Sequence, residues 1–225
     1  MPDLWLLTCA PGSRAGEAMS LFESLPDVPA ERRVVVTTQP DPITRDVAGA
    51  EVLLFDGTEV NISKWWAVGL DWIAARAGDG PYDVFLVESD TRIAPGDLDR
   101  VRAEMRRCGC VAAGADWLGL LPAGVTLVRR SNAAMGPATL RLPGIGMVVA
   151  GEAGLRHDQR FRWWLADDDL EWQARAAGGT ALVGGTTLQH EGTTPLEGER
   201  LQAWIEDEPR FAAKWGGVPA QGGVL

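Results

Sequence analysis

Lysine is almost missing from this chain. It occurs only at Lys64 and Lys214, and arginine supplies the remaining basic residues. The 21 basic side chains face 31 acidic ones, for a net charge of −10. A protein that binds polyanions generally carries a basic face, so nucleic acid is excluded as a general partner. A phosphorylated ligand is still open to such a chain, but it then needs local cations or a divalent metal. Cysteine is scarce and odd in number: Cys9, Cys108 and Cys110 match no disulfide framework. Cys108-Gly-Cys110 lacks the second pair or nearby histidine that a zinc site needs. The expectation is three plain thiols in a reducing, cytoplasmic compartment.

Long hydrophobic runs are also lacking. None approaches the roughly 20 residues of a membrane helix. The start, MPDLWLLTCAPG, has no basic leader and its apolar run is too short for a signal peptide, so it reads as a first strand. Three nucleotide and nucleophile motifs are absent. Gly144, Gly146 and Gly151 do not have G-x-G-x-x-G spacing, and neither G-x-x-x-x-G-K-[ST] nor G-x-S-x-G occurs.

What is present suits one globular domain. The chain has 225 residues, 46% of them hydrophobic and 23% charged. Apolar runs at 4–9, 33–38, 51–55, 83–87 and 110–114 read as strands. Helical spacing falls between them. Residues 14–25 place Ala15, Met19 and Phe22 on one face, and 62–77 do so with Trp66, Leu70, Ile73 and Ala77. A third helix, capped by Asp97, runs to about Arg107. Alternating strand and helix predict a parallel sheet with covering helices, and ligands bind such sheets at the carboxyl ends of the strands. The second half is less regular. It offers a buried strand at 144–151, a helix from about Asp168 to Ala177, short strands at 180–185 and 186–190, and a last helix within 197–215 interrupted at Pro209.

Three groups of residues could carry chemistry. In VFLVESDTR, Glu88 and Asp90 follow a strand and flank Ser89. Residues i and i+2 of an extended segment face one side, so both carboxylates could meet one ligand or a Mg²⁺ or Mn²⁺ ion. On spacing alone the simpler reading is a solvated turn, with Asp90 bonding the backbone. In RWWLADDDLEW, Asp167, Asp168 and Asp169 open a helix. Acids favour that position through capping and the helix dipole, yet three of them leave a spare carboxylate for general-base work. His190, after a short strand, is either a surface histidine or a metal ligand. His157 lies in a polar loop and receives no role.

Taken in order, four stretches resemble the GT-A type glycosyltransferases, closest to the inverting family 2 enzymes. They are LWLLTCAPG, NISKWWAVGLDWIAARA, VFLVESDTRIAPGDL, and GEAGLRHDQRFRWWLADDDLEWQARAAGG with the strand and His190 that follow. They span residue 4 to about 192. The resemblance implies an α/β GT-A fold with a mostly parallel central sheet flanked by helices. It implies a single catalytic domain over 1–225, with a nucleotide-binding half at 1–114, an acceptor-binding half at 115–192 and a C-terminal helical extension at 193–225.

The resemblance also implies roles. Asp90 matches the metal-binding acid of the D-x-D motif, and Glu88 the acid that meets the ribose or metal-bound water, with Ser89 as a spacer. Asp167 matches the catalytic base, Asp168 stands in reserve, and Asp169 matches a helix-capping acid. His190 matches a C-terminal metal ligand. Thr8, Ala10 and Pro11 would border the nucleotide base, with Asp41 or Asp56 bonding to it. Asn61 matches the family's Asn-containing helix. Lys64, Arg14 or Arg129 would add charge near the phosphates, and Trp117, Trp163 and Trp164 would form an acceptor platform. The cofactor would be Mn²⁺ or Mg²⁺ and the donor a nucleotide-diphosphate sugar. The acceptor is left open among glycan, lipid, small molecule and protein. The Arg-, Ala- and Gly-rich composition fits a GC-rich bacterium, such as an actinobacterium, or its phage, in which case DNA joins that set. The sequence departs from the family at Glu88, where Asp is usual, at Ala166, where Glu is usual, and at Gln173. Two other readings remain: a sugar nucleotidyltransferase, and a non-catalytic nucleotide- or sugar-binding protein of the same fold.

Overall fold

Strand β1 (Asp3–Cys9) is buried along Leu4–Thr8 because it is covered on both faces. Leu4 and Leu6 enter one core with Ala18, Leu21 and Phe22, while Trp5 and Leu7 enter another with Trp66, Leu70 and Ile73. A strand covered on both sides reads as an unbroken apolar run, which is why LWLLT shows no alternation. These features belong to a computed structural model that describes residues 1–57, 59, 61–131, 141–163, 165–192 and 197–218.

The main sheet has eight strands in the order β3-β2-β1-β4-β8-β6-β9-β7. Its parallel members are β1, β2 (Arg33–Thr38), β3 (Glu51–Phe55), β4 (Tyr82–Val87), β6 (Ala112–Ala115) and β9 (Thr180–Val183). Two run the other way: β7 (Thr126–Arg129) beside β9, and β8 (Gly146–Ala150) between β4 and β6. The carboxyl ends of the six parallel strands therefore share one edge. Arg129 closes a reversed strand and sits at the opposite edge, opposite Thr180.

Helices α1 (Ala15–Glu23) and α3 (Pro95–Arg107) cover one face, and α2 (Ile62–Ala74) and α4 (Ala166–Ala177) the other. In α1 the buried face is Ala15, Ala18, Leu21 and Phe22, and Met19 is only half-buried. Asn61 caps α2 by accepting the Lys64 N–H at 3.0 Å, which stabilises the helix by about 1 kcal/mol. Gly69 lets α2 approach β1, since a Cβ there would lie 2.3 Å from Leu7 Cδ1.

Two expectations change, and one short strand gains a partner. Asp97 does not cap α3; the cap is Ala94. Pro95 takes the first helical position, where its missing N–H costs nothing, and Asp97 in the first turn accepts the Thr187 N–H instead. Residues 186–190 do not join the main sheet. β10 (Leu188–His190) pairs antiparallel with β5 (Thr91–Ile93) as a separate ribbon. Pro209 does not interrupt α5 (Gly198–Trp215). Fully buried Phe211 packs on Phe161 and Trp172, and this outweighs the one backbone bond that proline removes.

Candidate active site

The acid pair is placed by the end of β4. The Glu88 N–H donates to Ile145 O at 3.1 Å, and the Thr91 N–H returns to Glu88 O at 3.0 Å, so residues 88–91 turn sharply at the carboxyl edge. The β5–β10 ribbon then sets His190 directly opposite Thr91. As a result His190 Nε2 lies 3.2 Å from Glu88 Oε2 and 3.4 Å from Asp90 Oδ1. Hydrogen bonding with Glu88, with help from the Asp90 charge, holds the His190 pKa above its ordinary value against the opposing effect of burial.

Asp90 is buried, and Arg14 Nη2 meets its Oδ2 at 2.6 Å. Arg14 also donates from Nε to Glu17, which in turn accepts from Ser89 Oγ at 3.1 Å. Ser89 is thus anchored to α1 besides spacing the two acids. Cys9, at the end of β1, has its thiol pushed well up by burial and then by the Glu88 charge, so it stays protonated.

One ligand atom each from Glu88, Asp90 and His190 lies within 4.8 Å of the others. Two hard oxygen donors and an imidazole suit Mg²⁺ or Mn²⁺. Asp90 Oδ1 is buried without a hydrogen-bond partner among the described residues, and Gly192 leaves room beside the carboxylate, where a Cβ would come within 2.5 Å of Oδ2. The residues present fit a divalent ion.

The three aspartates at the start of α4 have different environments. Asp169 is fully buried and accepts from Gln173 at 2.6 Å and from Trp215 Nε1 at 2.8 Å, with Lys214 Nζ at 2.7 Å. It ties α4 to α5 and does not cap the helix, whose cap is Leu165. Asp168 pairs with Arg141, and burial pushes its carboxyl up to about 7 despite that partner. Asp167 keeps a one-third exposed side chain, and its one ion-pair contact among the described residues is His157 Nε2 at 3.7 Å. Its carboxylate lies against Gly144, where a Cβ would fall 2.2 Å from Oδ2. The next residue, Ile145, holds the Glu88 N–H. One short turn therefore joins the Asp167 carboxylate to the acid pair.

Other predicted residues line the same edge or flank it. Thr8 and Ala10 are buried at the end of β1, and the Ala10 N–H donates to Val36 O at 2.9 Å. Pro11 follows, half-buried. Asp41 Oδ2 accepts the Ser13 N–H at 2.7 Å, which lowers its carboxyl pKa and fixes the β1–α1 loop. Asp56 is exposed just past β3. Asn61 caps α2 and also donates to Gln159 O at 3.1 Å. Lys64 pairs with Glu59 at 2.6 Å. Trp117 is exposed after β6, and Trp163 meets Trp65 edge-on at 5.9 Å. Trp164 lies outside the described residues.

Three solved structures superpose on this framework. Against S. aureus TarS the TM-score is 0.60 at 13% identity, covering 94% of this chain and 39% of that one. TarS 1-349 in complex with UDP-GlcNAc gives 0.55 at 12%, covering 93% and 66%. Glucosyl-3-phosphoglycerate synthase from Mycobacterium tuberculosis, in complex with Mg²⁺ and uridine-diphosphate, gives 0.64 at 15%, covering 97% and 81%.

This chain has the GT-A fold. No protein-family model matches its sequence, and no curated protein does. It spans about two fifths of the full TarS chain. On the GT-A framework, Glu88, Asp90 and His190 gather at the carboxyl edge with Asp167 close by, an arrangement able to hold a charged ligand and accept a proton beside it. His157 and Arg141 are the residues that the sequence left unassigned. Each contacts one of the helix-start aspartates from a separate loop, and no local spacing records that contact.

Proposed function

We propose that the protein is a glycosyltransferase that moves a hexose from a nucleotide-diphosphate sugar to an acceptor hydroxyl with inversion. The observation that carries this reading is the gathering of Glu88, Asp90 and His190 beside an aspartate, Asp167, that has no tight partner among the described residues. The UDP-GlcNAc and UDP complexes of the TarS structures and the Mg²⁺ and UDP of the mycobacterial synthase support it.

Glu88, Asp90 and His190 would hold a divalent ion, Mg²⁺ or Mn²⁺. Bound there, it supplies positive charge to the departing diphosphate. Thr8, Ala10 and Pro11 form the wall of the nucleotide site, and Arg14 adds a fixed cation beside Asp90. Asp167 takes the proton from the acceptor hydroxyl as that oxygen attacks the anomeric carbon. A single base suffices for inversion, and a carboxylate without a tight partner is available for that role. The net charge of −10 fits this reading, because the local cation and not a basic surface would meet the phosphates.

The test is thermal denaturation with a panel of nucleotide sugars, with and without Mn²⁺ or Mg²⁺. The expected result is stabilisation by at least one donor that requires the metal. No metal-dependent shift with any donor would overturn the reading. Release of a nucleoside diphosphate in turnover supports sugar transfer, whereas release of pyrophosphate would make the protein a nucleotidyltransferase.

A further inference from the structure

His157 is one of only two histidines in the chain, and the other is in the acidic cluster. Its residue is 3% exposed, and neither ring nitrogen has a hydrogen-bond partner among the described residues. A buried polar group left unpaired is destabilising, so an imidazole with both nitrogens unpaired calls for a physical reason. The ring is not loosely held. It stacks on Trp66 with centroids 6.1 Å apart and planes 17° from parallel. The loop that carries it is bound to the start of the same helix: Asn61 donates to Gln159 O at 3.1 Å, and the Ile62 N–H donates to Arg162 O at 2.9 Å. So α2 fixes the imidazole, and the nitrogen Nε2 faces Asp167 Oδ1 at 3.7 Å.

That separation is about half an ångström beyond a hydrogen bond. We propose that His157 is a positioning residue for Asp167. Its Nε2–H closes on Asp167 Oδ1 when an acceptor fills the pocket, which leaves Oδ2 to face the acceptor hydroxyl. The acceptor's proton passes to Oδ2, and His157 keeps its own proton throughout. The pair holds one orientation of a carboxylate that nothing else among the described residues grips. This inference rests on Asp167 being the base, but the His157–Asp167 contact itself does not depend on the reaction.

Labelling with ¹⁵N-histidine gives only two imidazoles to resolve, and His190→Gln assigns them. In the wild type His157 should be the Nε2–H tautomer, and Asp167→Asn should shift its nitrogen resonances while those of His190 hold still. An Nδ1–H tautomer, or His157 resonances indifferent to Asp167→Asn, would overturn the proposal. Two variants add a kinetic reading. His157→Phe keeps a ring against Trp66 but removes the N–H, and should lower kcat about 10–100-fold with the donor KM and the melting temperature little changed. His157→Gln, which returns an N–H, should recover part of that loss. Equal kcat in His157→Phe and wild type would also overturn it. If no donor is turned over but the resonances respond to Asp167→Asn, the proposed reaction fails and the pair stands.

Discussion

Arg14 Nη2 lies 2.6 Å from Asp90 Oδ2, while Asp90 Oδ1 faces His190 Nε2 at 3.4 Å. One carboxylate is therefore shared between a built-in cation and a cluster suited to a divalent one. The two positive charges compete for it. Arg14→Gln is expected to tighten Mg²⁺ or Mn²⁺ binding about tenfold, since a repelling charge a few ångströms away is removed. Isothermal titration without nucleotide measures this, and unchanged or weaker binding would show that Arg14 does not oppose the ion.

Asp167 should matter for turnover and not for donor binding. Asp167→Asn keeps the size and removes the base, so turnover should fall about 10²–10⁴-fold while the thermal shift with nucleotide persists. Retained turnover would take Asp167 out of the mechanism and leave its neighbour Asp168 to be examined next.

Asp168 carries a pH signature. Burial raises its carboxyl from an ordinary 3.8 to about 7. The folded state therefore holds this proton more tightly than the unfolded state. The stability it contributes is complete below about pH 4 and is lost as pH rises through about 7. Asp168→Asn carries no such titration. The melting temperature of this variant relative to wild type should climb between pH 4 and 7 and level off above. A difference flat across that range would contradict the raised carboxyl.

Far from the site, fully buried Asp83 accepts from Arg102 Nε at 2.9 Å and from Arg106 Nε at 3.0 Å. Arg102 is itself nearly inaccessible, and without Asp83 its one remaining carboxylate partner among the described residues would be the exposed Asp99, at 3.3 Å. Asp83→Ala should cost about 3–5 kcal/mol in urea unfolding. A loss below about 1 kcal/mol would mean that water reaches the guanidinium groups.

How far the sequence reveals this molecule depends on where each cause sits. The βα half was legible because β1, β2 and β4 are covered on both faces and appear as plain apolar runs. Strand β7 was not, because all four of its residues are half-buried on the last strand of the sheet, where TLVR looks like a loop. The continuity of α5 through Pro209 depends on Phe211 meeting Phe161 and Trp172, contacts made by distant elements. The grouping of Glu88 and Asp90 with His190 followed from motif order. Local spacing would not have chosen it, because their meeting depends on the β5–β10 ribbon. The use of Asp169 by Lys214 and Trp215 was hidden for a related reason: the local pattern points to a cap, and only the distant helix shows otherwise.

The Glu88–His190 contact spans 102 residues of chain. A ribosome adding residues from the N-terminus would release β1 to β4, with both carboxylates, well before the imidazole exists. During that interval the nascent chain would carry a parallel sheet whose pocket is unfinished, with Arg14 beside Asp90 and Glu88 still lacking its histidine. The Arg14–Asp90 pair is complete in sequence before the ribbon that brings His190 has been made.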